Sequence, residues 1–243
     1  MAAAPLDAAP CHVSISWPFL WHGVLPQLLA AVPMTLTLTL LSALGSALFG
    51  VPLALALGSA ARWRRWPAQG YSLLMRGTPM LVQIYLIYYG LGSLIPREWM
   101  RHSWASPVLR DAFWYGLTAL TLNETAYVAV ILKVGLDAVD RGQHEAAQAL
   151  GLSRMITLTR ILLPQALAVV FPMLANEFIL LLKSTVLVST ITIFDVLGTA
   201  NTIRFETLRV DEPLLGAAAV YVVLVGLVTL MGLPIERRLR RHR

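Results

Sequence analysis

The chain has little charge for its length. Of its 243 residues 13% are Asp, Glu, Lys or Arg, about half the share of a soluble domain. With 57% hydrophobic residues and a mean hydropathy of +0.68, this scarcity excludes an ordinary water-soluble globule. Cysteine occurs once, as Cys11, which excludes a disulfide framework within one chain and a zinc site built on a cysteine pair. The first 30 residues lack the Lys or Arg of a signal peptide's n-region, so the first apolar run is expected to remain as a membrane span. The sequence has no Gly-x-x-x-x-Gly-Lys-Ser/Thr phosphate loop and hence no backbone cradle for ATP. His12, His22, His102, His144 and His242 are scattered, with no pair at the i, i+4 spacing of a helical metal site. Ser14, Ser103 and Ser106 have no identifiable base, so an enzyme is not expected. No repeat of 20–50 residues is present.

What is present is a set of long uncharged stretches, 8–61, 77–96 and 213–235, each able to cross a hydrocarbon core of roughly 30 Å. The fold class that follows is an all-α integral membrane protein. An Ala/Pro-rich lead and an interfacial segment at 17–27, broken by Pro18 and Pro26 and anchored by Trp17 and Trp21, make up residues 1–27. Five spans are expected at about 28–58, 68–92, 112–135, 164–190 and 213–234, followed by a basic tail at 235–243. Small residues such as Gly45, Gly50, Gly58, Gly216, Ala217 and Gly226 let helices approach closely, so the spans should form a bundle.

The formal charge of +6 would suggest nucleic acid in a soluble protein. Here the basic residues flank apolar segments and report orientation instead. With the N-terminus outside, thirteen of the nineteen Lys and Arg lie inside, among them Arg62, Arg64, Arg65, Arg76, Lys133, Arg141, Arg154 and Arg160. That places the N-terminus outside and the tail in the cytoplasm, with the lipid bilayer as partner and no nucleic acid.

Residues 140–151 form the most specific segment. A polar opening is followed by alanines and closed by Gly151, which predicts a short helix ending in a left-handed residue. Glu145-Ala146-Ala147, three residues, Gly151, nine residues, Ile161, one residue and Leu163-Pro164 match the EAA motif of ABC importer membrane subunits. Further landmarks are Arg76-Gly77-Thr78-Pro79, Leu81-Val82-Gln83, Ala126-Tyr127, Gly142-Gln143, Asn176-Glu177 and Lys183-Ser184-Thr185. Over about residues 28–234 the chain resembles the polar amino acid permeases, especially the histidine and octopine/nopaline types. The resemblance implies a five-helix type I importer subunit in a bacterial inner membrane, whose outer side is the periplasm, taking up a polar amino acid, leaning to basic amino acids, histidine or opines. It also implies a second, similar or identical permease subunit, two cytoplasmic ATPase subunits holding ATP and Mg, and a periplasmic binding protein. The ATPase-coupling residues it implies are Glu145, Ala146, Ala147, Leu150 and Gly151, with Ala147 and Gly151 setting contact distance.

Arg76, Glu124, Glu177 and Lys183 fall within the expected spans, where an unpaired charge costs about 2.5–3.5 kcal/mol or more. At about 1.5 Å per residue, Glu124 lies roughly 18 Å from Ala112 and Glu177 roughly 20 Å from Pro164, both near mid-depth. An Arg76–carboxylate bridge that only ties helices together is one reading. In the other, Pro79 breaks the helix around Gly77-Thr78, the next helix start takes an α-carboxylate, and Glu124 or Glu177 faces a cationic group. Arg76, Gly77, Thr78, Pro79, Glu124 and Glu177 are therefore the candidate substrate residues. The family's Ala-Tyr-x-x-Glu pattern ends here in Val130, and Glu124 lies about 240° around the helix from it. Tyr85, Tyr88 and Tyr89 read better as lipid or helix contacts, and the role of Lys183 stays open. Two other readings compete: a secondary transporter with Glu124 or Glu177 as proton carrier, and a scaffold recruiting a cytoplasmic protein through 140–151.

Overall fold

A computed structural model describes residues 15–94 and 96–240. The N-terminal lead at 1–14 and the last three residues of the basic tail lie outside the described residues. Among the described residues the regular structure is helical. Four helices are long and apolar enough to cross a membrane: α1 (Trp17–Leu57), α6 (Ala112–Asp137), α8 (Arg154–Ile191) and α10 (Asp211–Arg240, apolar to Pro234). Between them lie α2 (Arg62–Gly77), α3 (Met80–Leu94), α4 (Arg97–His102), α5 (Ser106–Arg110), α7 (Arg141–Ala149) and α9 (Val196–Thr207).

The expected interfacial segment at 17–27 is instead continuous with the first span. Pro18 and Pro26 do not stop the helix because each sits where a turn starts, Pro18 in the first turn of α1 and Pro26 just after a π-helical turn at Leu20–Val24. Farther along, Thr37 donates its hydroxyl to the Pro33 carbonyl at 2.7 Å. Forty-one residues of helix measure about 62 Å, twice the hydrocarbon thickness, so α1 extends well beyond the apolar layer. Within the span expected at 68–92 the helix is broken at the Pro79 corner: α2 ends at Gly77, Thr78 is extended, and α3 starts at Met80. The helix expected to span 164–190 begins ten residues earlier, at Arg154, through a π-helical turn at Thr157–Leu162. Helix α10 runs through the start of the expected tail to Arg240.

Helices α1 and α6 form the main seam of the bundle. A Cβ placed on Gly45 would stand 2.7 Å from a Thr121 methyl, and one on Gly50 would stand 2.8 Å from a Val128 methyl. The absence of those carbons sets the closeness of the two helices, as expected where lipid supplies no hydrophobic drive. Helix α8 packs against α6 on the other side, where a Cβ on Gly135 would meet the Ala166 carbonyl oxygen at 2.9 Å. Three apolar clusters fill the layer. One centres on Val24, Leu28, Leu182 and Val196, a second on Leu38, Ile84, Leu120 and Val188, and a third on Ala54, Ala129, Leu132 and Val170. Apolar side chains also cover the outside, including Leu44, Leu48 and Phe49 on α1 and Val222, Val223 and Met231 on α10, a pattern that requires an apolar solvent.

Buried Asp195 starts α9, accepting from the Gly198 amide at 2.8 Å and from the Tyr221 hydroxyl at 3.0 Å. The Val196 amide donates to the Thr35 hydroxyl at 3.3 Å, which ties α9 to α1. This helix was not expected from the sequence.

Candidate functional site

The end of α2 leaves carbonyl groups without helical partners, and Pro79 has no N–H to offer the Met75 carbonyl four residues back. Two side-chain amides replace it. Gln83 donates its Nε2 to the Met75 carbonyl at 2.7 Å, and Asn123 of α6 donates its Nδ2 to the same oxygen at 3.0 Å. The amides are linked in turn, Asn123 Nδ2 to Gln83 Oε1 at 3.0 Å. Thr78 completes the bracket, its hydroxyl donating to the Leu74 carbonyl at 2.8 Å and accepting from Gln83 at 2.8 Å. The break is thus fixed to α6 by hydrogen bonds and is not a loose hinge. It presents the first N–H groups of α3, which helix geometry leaves without intrahelical acceptors, at an extended Thr78-Pro79 corner.

Around this corner stand the candidate charges. Arg76 lies over the Tyr127 ring at 5.3 Å and forms no salt bridge within 4 Å among the described residues, so of the two readings of Arg76 the helix-tying carboxylate bridge is not formed and a cation–π contact stands in its place. Glu177 stands within electrostatic range of Arg76, and Glu124 within range of Glu177. Glu124 is 6% exposed and has no hydrogen-bond or ion-pair partner among the described residues. It lines a cavity of about 290 Å³ between α1, α6 and α8, whose other walls include Ala43, Ser46, Val51, Val128, Leu167 and Phe178. A single carboxylate in an otherwise apolar wall can offset the desolvation of a cation and fix its position. Arg76, Glu124 and Glu177 are therefore brought together. Gly77, Thr78 and Pro79 form the adjoining corner.

Sequence reasoning missed the roles of Gln83 and Asn123. The available signal was Pro79 itself: a proline in a buried span orphans a carbonyl, which then needs a polar donor nearby.

On the opposite part of the chain, Asp140 caps α7 by accepting from the Gly142 amide at 2.6 Å. The helix closes at Gly151, whose φ of +68° is the expected left-handed conformation, with the Leu152 amide donating to the Ala147 carbonyl at 3.0 Å. Gln165 of α8 donates to the Gln143 side chain at 3.4 Å, and α7 packs on the first turns of α8. Leu150 is 77% exposed, and Glu145, Ala146 and Gly151 are also exposed, whereas Ala147 is 1% exposed. Ala147, expected to set contact distance, is thus buried against its own chain. Its methyl is already enclosed by its own chain, and its small size lets α7 lie close to the bundle. The outward surface is left to Glu145, Ala146, Leu150 and Gly151.

Residues 50–241 match the family model for a binding-protein-dependent transport system inner membrane component. The chain is 46% identical over 208 residues to the octopine transport system permease protein OccM of Rhizobium radiobacter, covering 85% of this chain and 82% of that protein. It is 35% identical over 218 residues to the arginine transport system permease protein ArtQ of Bacillus subtilis, covering 90% and 94% respectively. A crystal structure of an amino acid ABC transporter with histidines superposes with a TM-score of 0.73 at 36% identity, covering 88% of this chain and 94% of that one. These matches over most of the chain's length show that it belongs to the inner-membrane permease family of binding-protein-dependent ABC transport systems.

Proposed function

We propose that this permease subunit imports an amino acid with a cationic side chain or an opine built on one. The relatives named for octopine and arginine support that choice, and so does unpaired Glu124 in the cavity wall beside the α3 start. In this reading the substrate α-carboxylate faces the Thr78-Pro79 corner and Arg76, while Glu124, with Glu177 behind it, faces the cation. The observation that carries the reading is a buried carboxylate, Glu124, with no hydrogen-bond or ion-pair partner among the described residues, in the wall of a cavity between α1, α6 and α8.

The chain works with a second permease subunit, two cytoplasmic ATPase subunits that hold ATP and Mg, and a periplasmic binding protein. Counting α2 and α3 together as one crossing gives five spans, with the N-terminus in the periplasm and the C-terminus in the cytoplasm. The outward face of α7 docks on an ATPase subunit. Its attachment to α8 and its short link to α6 carry that subunit's closure to the cavity walls, which open alternately to the two sides. ATP hydrolysis belongs to the partner.

The test is to reconstitute the complex and measure ATPase stimulation by a panel of loaded binding proteins. Stimulation by one carrying arginine, histidine or an opine, with a Glu124→Gln permease losing uptake of the cationic substrate, supports the assignment. Unchanged substrate preference and rate in Glu124→Gln removes that residue from the site.

A further inference from the structure

The first turn of α2 carries Arg62, Trp63, Arg64, Arg65 and Trp66 in unbroken succession. No Asp or Glu occurs between Asp7 and Glu98, and no carboxylate pairs with these arginines among the described residues. At about 100° per residue, Trp63, Trp66, Leu73 and Leu74 fall on one side of the helix. Trp63 is 72% and Trp66 67% exposed, both leucines are exposed, and the opposite side carries buried Ala68 and Ser72. The exposed stripe is therefore apolar along its length with a cluster of arginines at its first turn, while Arg76 in the last turn is engaged with the Tyr127 ring of α6.

The arrangement of that end has a specific chemistry. Arg62 lies on one flank of the tryptophans and Arg64 on the other, its guanidinium 4.6 Å from the Trp63 ring. Indole rings settle at the level of lipid headgroups, and guanidinium groups offer paired donors that match phosphate oxygens. Arg65 points toward the buried side, where its Nε has no acceptor from the chain.

We propose that this end of α2 binds the phosphate of an anionic phospholipid, with the acyl chains lying along the Trp66–Leu73 stripe. Charge complementarity selects an anion, since 90 residues of surrounding sequence supply no carboxylate. Continuity of the arginines with an exposed apolar stripe selects a lipid over a free phosphate, which would use the guanidinium groups and leave the stripe idle. The site rests on the membrane placement of α2 and is independent of which solute is carried.

The experiment uses the assembled transporter, released from membranes of equal phosphatidylglycerol and phosphatidylcholine, with retained lipids counted by native mass spectrometry. The wild type is expected to retain phosphatidylglycerol selectively. Arg62→Gln with Arg64→Gln, both exposed positions, should lower that selectivity by about fivefold for each arginine. Arg62→Lys with Arg64→Lys should keep part of it, and assembly with the ATPase should be unchanged in both. Brominated phosphatidylglycerol should quench tryptophan emission in the wild type, and less so in Trp63→Phe with Trp66→Phe. Equal retention of phosphatidylglycerol by the glutamine variant would overturn the proposal. So would complete displacement of the lipid by inorganic phosphate, which would mark a free-anion site.

Discussion

Gln83 reaches back across the Pro79 break and donates its side-chain amide to the Met75 carbonyl at 2.7 Å. A proline inside a membrane is tolerated where side chains satisfy the backbone it orphans, and this pair is an instance of that exchange. The corner beside the cavity keeps its shape because an amide replaces a missing N–H, and Asn123 holds the same oxygen from α6.

Gln83→Leu removes that donor while keeping the volume. It is expected to destabilise the permease by about 0.5–1.5 kcal/mol, the net worth of a lost hydrogen bond, because Asn123 still holds the Met75 oxygen. A fall in the thermal unfolding midpoint of the purified protein checks this. Adding Pro79→Ala supplies an N–H and should recover part of the loss. An unchanged midpoint in Gln83→Leu would mean that the bracket does not support the break.

The α6–α8 contact predicts a contrast between two glycines. Gly135→Val places carbon against the Ala166 carbonyl oxygen, which is backbone and cannot swing away. A loss of about 1–3 kcal/mol is expected. Gly226→Val has nothing within 4 Å of the new carbon and should stay near wild type. Unfolding midpoints measured side by side test the pair.

Asp195 and Tyr221 should behave as one unit, since the carboxylate takes the tyrosine hydroxyl and caps α9 at once. Tyr221→Phe and Asp195→Asn are each expected to destabilise, and a double-mutant cycle should give a coupling energy of about 0.5–3 kcal/mol. Additive losses would show that the hydroxyl and the carboxylate act separately.

Much of this architecture was legible in the chain. Uncharged stretches marked the spans because a bilayer tolerates few unpaired charges, and Gly151 marked the end of α7 because a left-handed residue is needed there. The polar opening and alanines after Asp140 marked the loop helix itself. Prolines gave mixed signals. Pro18 and Pro26 read as interruptions, yet the helix from Trp17 continues through them, the first in its opening turn and the second just after a π-helical turn. Pro79 marked a helix break by its missing N–H, but the bracket that holds the break depends on Asn123 of α6, a tertiary neighbour. Helix α9 was missed because it has too little apolar length to stand out, its one local signal being Asp195 as a cap. The burial of Ala147 was illegible because it depends on how α7 leans on α8, a tertiary relationship.

The central claim, that the outward face of α7 receives work from a separate ATPase, is tested most directly by ATP-driven uptake into proteoliposomes with Leu150→Asp. The side chain at 150 is largely exposed, so the substitution should leave the permease folded. The account predicts a loss of uptake and of ATPase association of at least about tenfold, the effect of removing one interface anchor, with the unfolding midpoint unchanged. Uptake at the wild-type rate with Leu150→Asp in place would contradict it.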